Sequence, residues 1–246
     1  MREGGKRARL AALRQQLAAL ENGGKEASIL PFGALAIDVS LPWGGLPLGA
    51  LHELCSAGSE GEDGVSAAGF LAGILTRLLP GQPVLWCFKR ADLHAPGLAT
   101  YGLAPERLIL ARAQNDWEIL WAMEEGLRSR ALAAVVGEVA ALPLTASRRL
   151  QLAAETTGVT GFALSRQNLA TTASAAVTRW RLAALPGALK PGEPGVGQAR
   201  WRVELLRCRG GVPAAWDVEA CNAAGHVTVS AALVDRSAPR QQRAVG

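Results

Sequence analysis

Between Leu51 and Leu79 an apolar run, a glycine-rich loop and a longer apolar run follow one another. That order constrains the chain more than any other stretch. Leu51–Leu54 reads as a buried strand, and Ala67–Leu79 as a helix ended by Pro80 and Gly81. The loop between them lies in Glu53–Gly64, ELCSAGSEGEDG. Strand, glycine loop and helix is the layout of a phosphate-binding unit in a parallel α/β sheet. The chemistry of this loop runs against phosphate. A working loop reads G-x-x-x-x-G-K-[ST], with the lysine on the β/γ phosphates and the hydroxyl on magnesium. Here Gly58 is the first glycine, Glu60 precedes Gly61, and Glu62 and Asp63 follow it. Carboxylates there repel a triphosphate by several kcal/mol in a partly desolvated loop, on the order of 332/(εr) per charge pair. No lysine lies between His52 and Gly81, so no shift of register recovers one, and Arg77 is too far along the helix. An ordinary acidic loop is the reading these residues favour over nucleotide binding.

The rest of the chain extends the same architecture. Strands are expected at Pro83–Phe88, Arg107–Ala111, Leu132–Val136 and Gly161–Leu164; Leu132–Val136 is uniformly apolar, as a buried parallel strand should be. Helices are expected between them at Asp116–Ser129, capped by Asn115 or Asp116, and at Thr145–Thr156. After Leu164 the rhythm changes. Thr178–Ala184, Arg200–Arg207, Ala215–Ala220 and His226–Leu233 read as strands with no helix between them. Alternation followed by a strand cluster predicts a mostly parallel sheet extended by antiparallel strands. Upstream, Arg7–Glu21 reads as a helix. Leu10, Leu13, Leu17 and Leu20 form one apolar stripe, and Gly23 and Gly24 stop it. It either docks on a partner or second copy, or folds back on its own core.

At 246 residues, 49% hydrophobic and 19% charged, the chain can bury one sizeable core. The net charge of +5 is modest, but the basic residues gather at Lys6–Arg14, Arg179–Arg209 and Arg236–Arg243. Cys55, Cys87, Cys208 and Cys221 show no C-x-x-C spacing, and buried reduced thiols are expected. His52, His94 and His226 lack ligand spacing, so no metal site is expected. With neither a signal peptide nor an uninterrupted apolar run of membrane length, the expected location is the cytoplasm.

Several blocks carry a resemblance. Leu41–Gly49, LPWGGLPLG, followed by Leu51–Leu54 looks like the entry to a RecA-type recombinase core. Pro83–Trp86, Leu93–Leu98 with Tyr101–Leu103, Val135–Glu138, Ser147–Leu152, Thr178–Leu182, Trp201–Val203 and Val234–Arg236 resemble, in order and spacing, the RecA-related ImuA family of damage-inducible mutagenesis proteins. The match runs from about Leu30 to Arg236. It implies a RecA-like core at 28–236 with a degenerate nucleotide site; the N-terminal helix and linker occupy 1–27, and the basic tail at 237–246 is expected to be disordered.

The resemblance also places the remaining nucleotide-site positions. Gly137 falls on the magnesium-binding aspartate, and Glu138 falls one place later. Glu138 could hold a metal, but a glycine in a strand-end turn beside a solvated glutamate is favoured. Gln167 falls where a polar residue senses the γ-phosphate. The two DNA-binding loops are implied at Val139–Ala146 and Asn168–Ala176, and both are short.

Basic and aromatic residues interleave in the late strands. Strand alternation puts Arg179 and Arg181 on one face with Trp180 opposite, and Arg200 and Arg202 likewise against Trp201. With Arg207 and Arg209 they could form a basic stripe for phosphates, to which Arg148 and Arg149 could add. The alternative is an amphipathic sheet with tryptophans inward and arginines outward.

No Ser-His-Asp order, buried carboxylate pair or cofactor fingerprint stands out, so neither catalysis nor a cofactor is expected. The resemblance implies an accessory protein of SOS-induced, error-prone translesion DNA synthesis. Its implied partners are an ImuB-type Y-family polymerase homologue and an error-prone C-family DNA polymerase, with single-stranded DNA or RecA as further candidates. Two other classes stay open: a SulA-type cell-division inhibitor on the same scaffold, and an ATP-dependent recombinase.

Overall fold

The computed structural model describes residues 28–58, 62–165, 173–188 and 197–230. The expected helix with Leu10, Leu13, Leu17 and Leu20 lies outside them, as do Gly61, Gln167 and the tail.

Ile29–Leu30 (β1) pairs antiparallel with Leu46–Pro47 (β2), with a single helical turn, Leu35–Asp38 (α1), between them. The chain then enters the central sheet at Leu51–Ser56 (β3), followed by the helix Glu62–Arg77 (α2). Val84–Phe88 (β4), the short Ala95–Leu98 (α3) and Leu108–Arg112 (β5) come next. Asp116–Leu127 (α4), Ala134–Glu138 (β6), Leu144–Thr157 (α5) and Thr160–Ser165 (β7) complete the alternating half. Thr178–Ala188 (β8), Gln198–Cys208 (β9), Ala214–Glu219 (β10) and Thr228–Val229 (β11) form the strand cluster.

The nine-stranded sheet runs β11-β10-β9-β8-β3-β7-β6-β4-β5. Its pairings from β8 through β5 are parallel, and β8-β9, β9-β10 and β10-β11 are antiparallel. The expected division of the sheet is therefore found. The helix boundaries differ in one instructive place. α2 begins at Glu62 rather than Ala67, because acidic residues favour a helix N-terminus. The expected Asn115 cap is present: its side chain accepts from the Glu118 N–H at 3.0 Å.

Two apolar layers cover the sheet. On one face α2 packs Phe70, Leu71 and Leu75 against Trp86, Phe162, Trp180, Leu182 and Trp201. On the other, α4 and α5 pack Ile119, Met123, Leu127 and Leu150 against Leu51, Val135 and Ala163. Tryptophans thus point inward at Trp180 and Trp201, as alternation requires. All four cysteines are buried and free. Burial pushes the Cys87 and Cys221 thiols up to about 12 and Cys208 up to about 11.

Arg107 fixes the end of α2. Its guanidinium donates to the carbonyls of Leu75, Thr76, Leu78 and Gln82 at 2.8–3.3 Å, satisfying groups that a helix terminus leaves unpaired.

Candidate functional site

β3, β7 and β6 lie side by side, and their carboxyl ends bring the loop-side residues together. At the first of these ends the glycine loop feeds α2. Asp63, in the first turn, turns its carboxylate onto β8: Oδ1 accepts from the Ala184 N–H at 2.7 Å. β3 ends at Ser56, and Ala57 donates to the Leu182 carbonyl as the last of its backbone bonds to β8 among the described residues. Asp63 therefore supplies the acceptor that a longer β3 would have supplied. A charge-assisted bond of this kind is worth about 1.5–3 kcal/mol. The residue standing at the magnesium-hydroxyl position is committed to holding helix and sheet together. Gly58 is close by: a Cβ there would sit 2.8 Å from Asp63 Oδ2.

At the second end, Gly137 is an ordinary residue of β6 and not part of a turn. It is glycine because α4 crosses tightly above it. A Cβ at 137 would lie 2.2 Å from Met123 Sδ and 2.9 Å from Ile119 Cγ2. No aspartate fits there without displacing the Met123 and Ile119 side chains. Glu138 corrects the expectation of a solvated side chain. It is buried, and its Oε1 accepts from the Trp86 indole N–H at 2.8 Å. The sheet neighbour β4 thus provides the donor that allows a carboxylate inside.

A third cluster joins the next strand ends. Lys89 and Asp116 form an ion pair, and the other Asp116 oxygen accepts from the Ala140 N–H at 2.9 Å. Two sequence-distant loops, after β4 and β6, are thereby tied to the first turn of α4.

The arginines of the late strands do not form a free basic stripe. Arg179 is buried rather than outward, and is paired with the equally buried Glu53 across the β3-β8 register. Burying a charge is costly unless it is paired, and this partner is the reason Arg179 can be inside. Arg181 pairs with Glu204 at 2.5 Å and Arg202 with Asp217 at 2.8 Å, each across neighbouring strands. These partners raise both guanidinium pKa values further. Arg200 stands opposite Glu219 in the β9-β10 register. Arg207 donates to the carbonyls of Ser174 and Ala176 at 2.8 and 3.1 Å, and Arg209 to that of Ala175 at 3.4 Å. Both therefore hold the segment that leads into β8. Arg149 is exposed on α5, away from these strands, and pairs with Glu124 of α4.

His52, which has no ligand spacing in the sequence, organises the start of β8. Its Nε2 lies 2.9 Å from the Pro47 carbonyl, which can only accept, so Nε2 carries the proton. Nδ1 then accepts from the Thr178 hydroxyl at 2.7 Å, and Thr178 Oγ1 accepts from the Trp180 indole at 2.7 Å. Burial lowers the imidazole to about 4. A histidine and a glutamate side by side in a wholly buried strand were the sequence signal for these two partnerships.

Among the described residues there is no cluster of three or more His, Cys, Asp and Glu side chains able to hold a metal, and no helix long and apolar enough to cross a membrane. The strand-end cluster offers carboxylates engaged with backbone and side-chain donors. That arrangement couples loops to the sheet.

Comparison with solved structures gives the RadB recombinase, superposing with a TM-score of 0.52 at 18% identity over 81% of this chain and 99% of that one. The fold is RecA-like, as expected from the sequence. No family model matches the chain. Protein ImuA of Caulobacter vibrioides, in two strains, is 43% identical over 209 residues, covering 80% of this chain and 85% of its own. With a strand-end site rebuilt on a recombinase-like scaffold and this degree of identity, the chain belongs to the ImuA family.

Proposed function

We propose that this protein is a non-catalytic accessory factor of SOS-induced, error-prone translesion DNA synthesis. Its role is to bridge an ImuB-type Y-family polymerase homologue and an error-prone C-family polymerase. ImuA membership supports the mutagenesis role. One observation supports the non-catalytic part: both positions at which a nucleotide-binding core handles magnesium are occupied by structural tasks. Asp63 is bonded to Ala184 N–H, and the space above Gly137 is filled by Met123. A RecA-like fold relieved of nucleotide chemistry offers rigid surfaces, and binding is the activity left to it. Arg179, Arg181, Arg202, Arg207 and Arg209 are engaged with carboxylates and carbonyls, so DNA contact through them has no part in this reading.

The test is thermal unfolding of the full chain with and without millimolar Mg-ATP. A ligand at one hundred times its Kd stabilises by about 2.7 kcal/mol, a shift of a few degrees. No shift and no phosphate release are expected. Stabilisation accompanied by hydrolysis would return the protein to the ATPases.

A further inference from the structure

Strand β5 ends the sheet. Among the described residues β4 is its only sheet neighbour, so its other edge is open. Leu108 packs against the α2-side core and Ala111 against the α4-side core. Alternation therefore puts Leu110 on the α2 face and Ile109 on the α4 face. They are 46% and 48% exposed. α4 packs over β4, β6 and β7, which leaves Ile109 uncovered. Leu108–Arg112 contains neither proline nor lysine, the residues that commonly blunt such an edge.

The backbone fixes which groups face outward. Ala113 N–H donates to the Phe88 carbonyl at 2.9 Å. Alternation turns the N–H and C=O of Ile109 and Ala111 the same way, toward β4. Those of Leu108, Leu110 and Arg112 point away from β4, into the open edge.

We propose that this edge pairs antiparallel with the β5 edge of a second copy, about a two-fold axis at Ile109. That register sets Leu108 of each copy against Leu110 of the other. Both positions carry outward backbone groups, so each pair exchanges two hydrogen bonds. Ile109 meets Ile109 of the second copy at the close spacing of a non-hydrogen-bonded pair. Charge selects this register. Glu106 and Arg112 are exposed at the two ends of the strand, and the pairing brings each level with the other across the axis. Arg107, between them, is turned to carbonyls at the end of α2. The next antiparallel registers that keep the backbone bonds set Glu106 against Leu110 or Gln114 instead. A parallel pairing would oppose Glu106 to Glu106 and Arg112 to Arg112, which is destabilising.

Sedimentation of the full chain across the micromolar range tests this. The mass is expected to rise from 25.7 kDa to twice that value as concentration increases. Ile109→Lys should weaken the association roughly 10-fold or more, by placing two ammonium groups face to face. Arg112→Glu should weaken it as well, and Glu106→Arg/Arg112→Glu should restore it. All three positions are exposed, so the fold, followed by circular dichroism, is expected to persist. In Ile109→Cys a mild oxidant should join two chains, since the native cysteines are buried. Leu110→Cys should not cross-link, because it faces Leu108 of the second copy. The proposal is overturned if the parent chain stays monomeric throughout the range, or if Ile109→Lys associates as tightly as the parent. It is also overturned if the double charge reversal is no tighter than Arg112→Glu alone, or if Leu110→Cys cross-links and Ile109→Cys does not.

Discussion

Asp63 and Ala184 are 121 residues apart in the chain and 2.7 Å apart in the fold, carboxylate to backbone N–H. The bond joins the first turn of α2 to the strand at which the parallel sheet turns antiparallel. Replacing Asp63 with Ala leaves that N–H without its acceptor and is expected to lower stability by roughly 1–3 kcal/mol. Asp63→Asn retains an acceptor and should lose less. Urea unfolding of both variants measures the difference, and an unchanged midpoint for Asp63→Ala would remove the bond from the account.

Gly137 yields a second expectation. Ala at this position places a methyl against Met123 Sδ and should cost about 1–3 kcal/mol through overpacking. Asp should cost more, because a carboxylate is added to the same crowded, apolar place. Thermal melts that leave Gly137→Asp as stable as the parent would contradict the packing described here.

The buried ion pair makes a third. Removing one partner, by Glu53→Gln or Arg179→Met, strands the other charge and should cost about 3–5 kcal/mol. Replacing both with apolar residues should cost less than the sum of the single changes. A double-mutant cycle in urea gives the coupling, and strictly additive effects would argue against it.

Acid stability follows from His52. Its folded pKa, about 4, lies below the ordinary 6.5. Between these values the unfolded chain binds the proton and the folded one does not, so stability rises with pH across that window. The contribution is complete above 6.5 and lost as pH falls toward 4, roughly 3 kcal/mol in all. The slope of unfolding free energy between pH 4 and 6.5 should flatten in His52→Gln, and an equal slope in both proteins would assign it to other groups.

The division of labour between helices and strands was legible in the sequence because it rests on local periodicity. Uniformly apolar runs such as Leu132–Val136 announce parallel strands, and Trp180 and Trp201 announce the buried side of the late strands. The arginines were not legible in the same way. Alternation correctly put Arg179 and Arg181 on one face, but a face can be interior as well as exterior. Arg179 is buried because Glu53, 126 residues earlier, lies beside it. A similar separation, 121 residues, hid the role of Asp63, and a helix crossing hid that of Gly137. What each touches is set by strand order and helix crossing, and neither is written in the flanking residues.

The central claim is that this chain works by binding a polymerase partner. Light scattering on a sizing column, with the chain alone and mixed with a purified ImuB-type polymerase homologue, tests it most directly. The account predicts a stoichiometric complex that forms without nucleotide. Two separate peaks at micromolar concentrations of both proteins would contradict it.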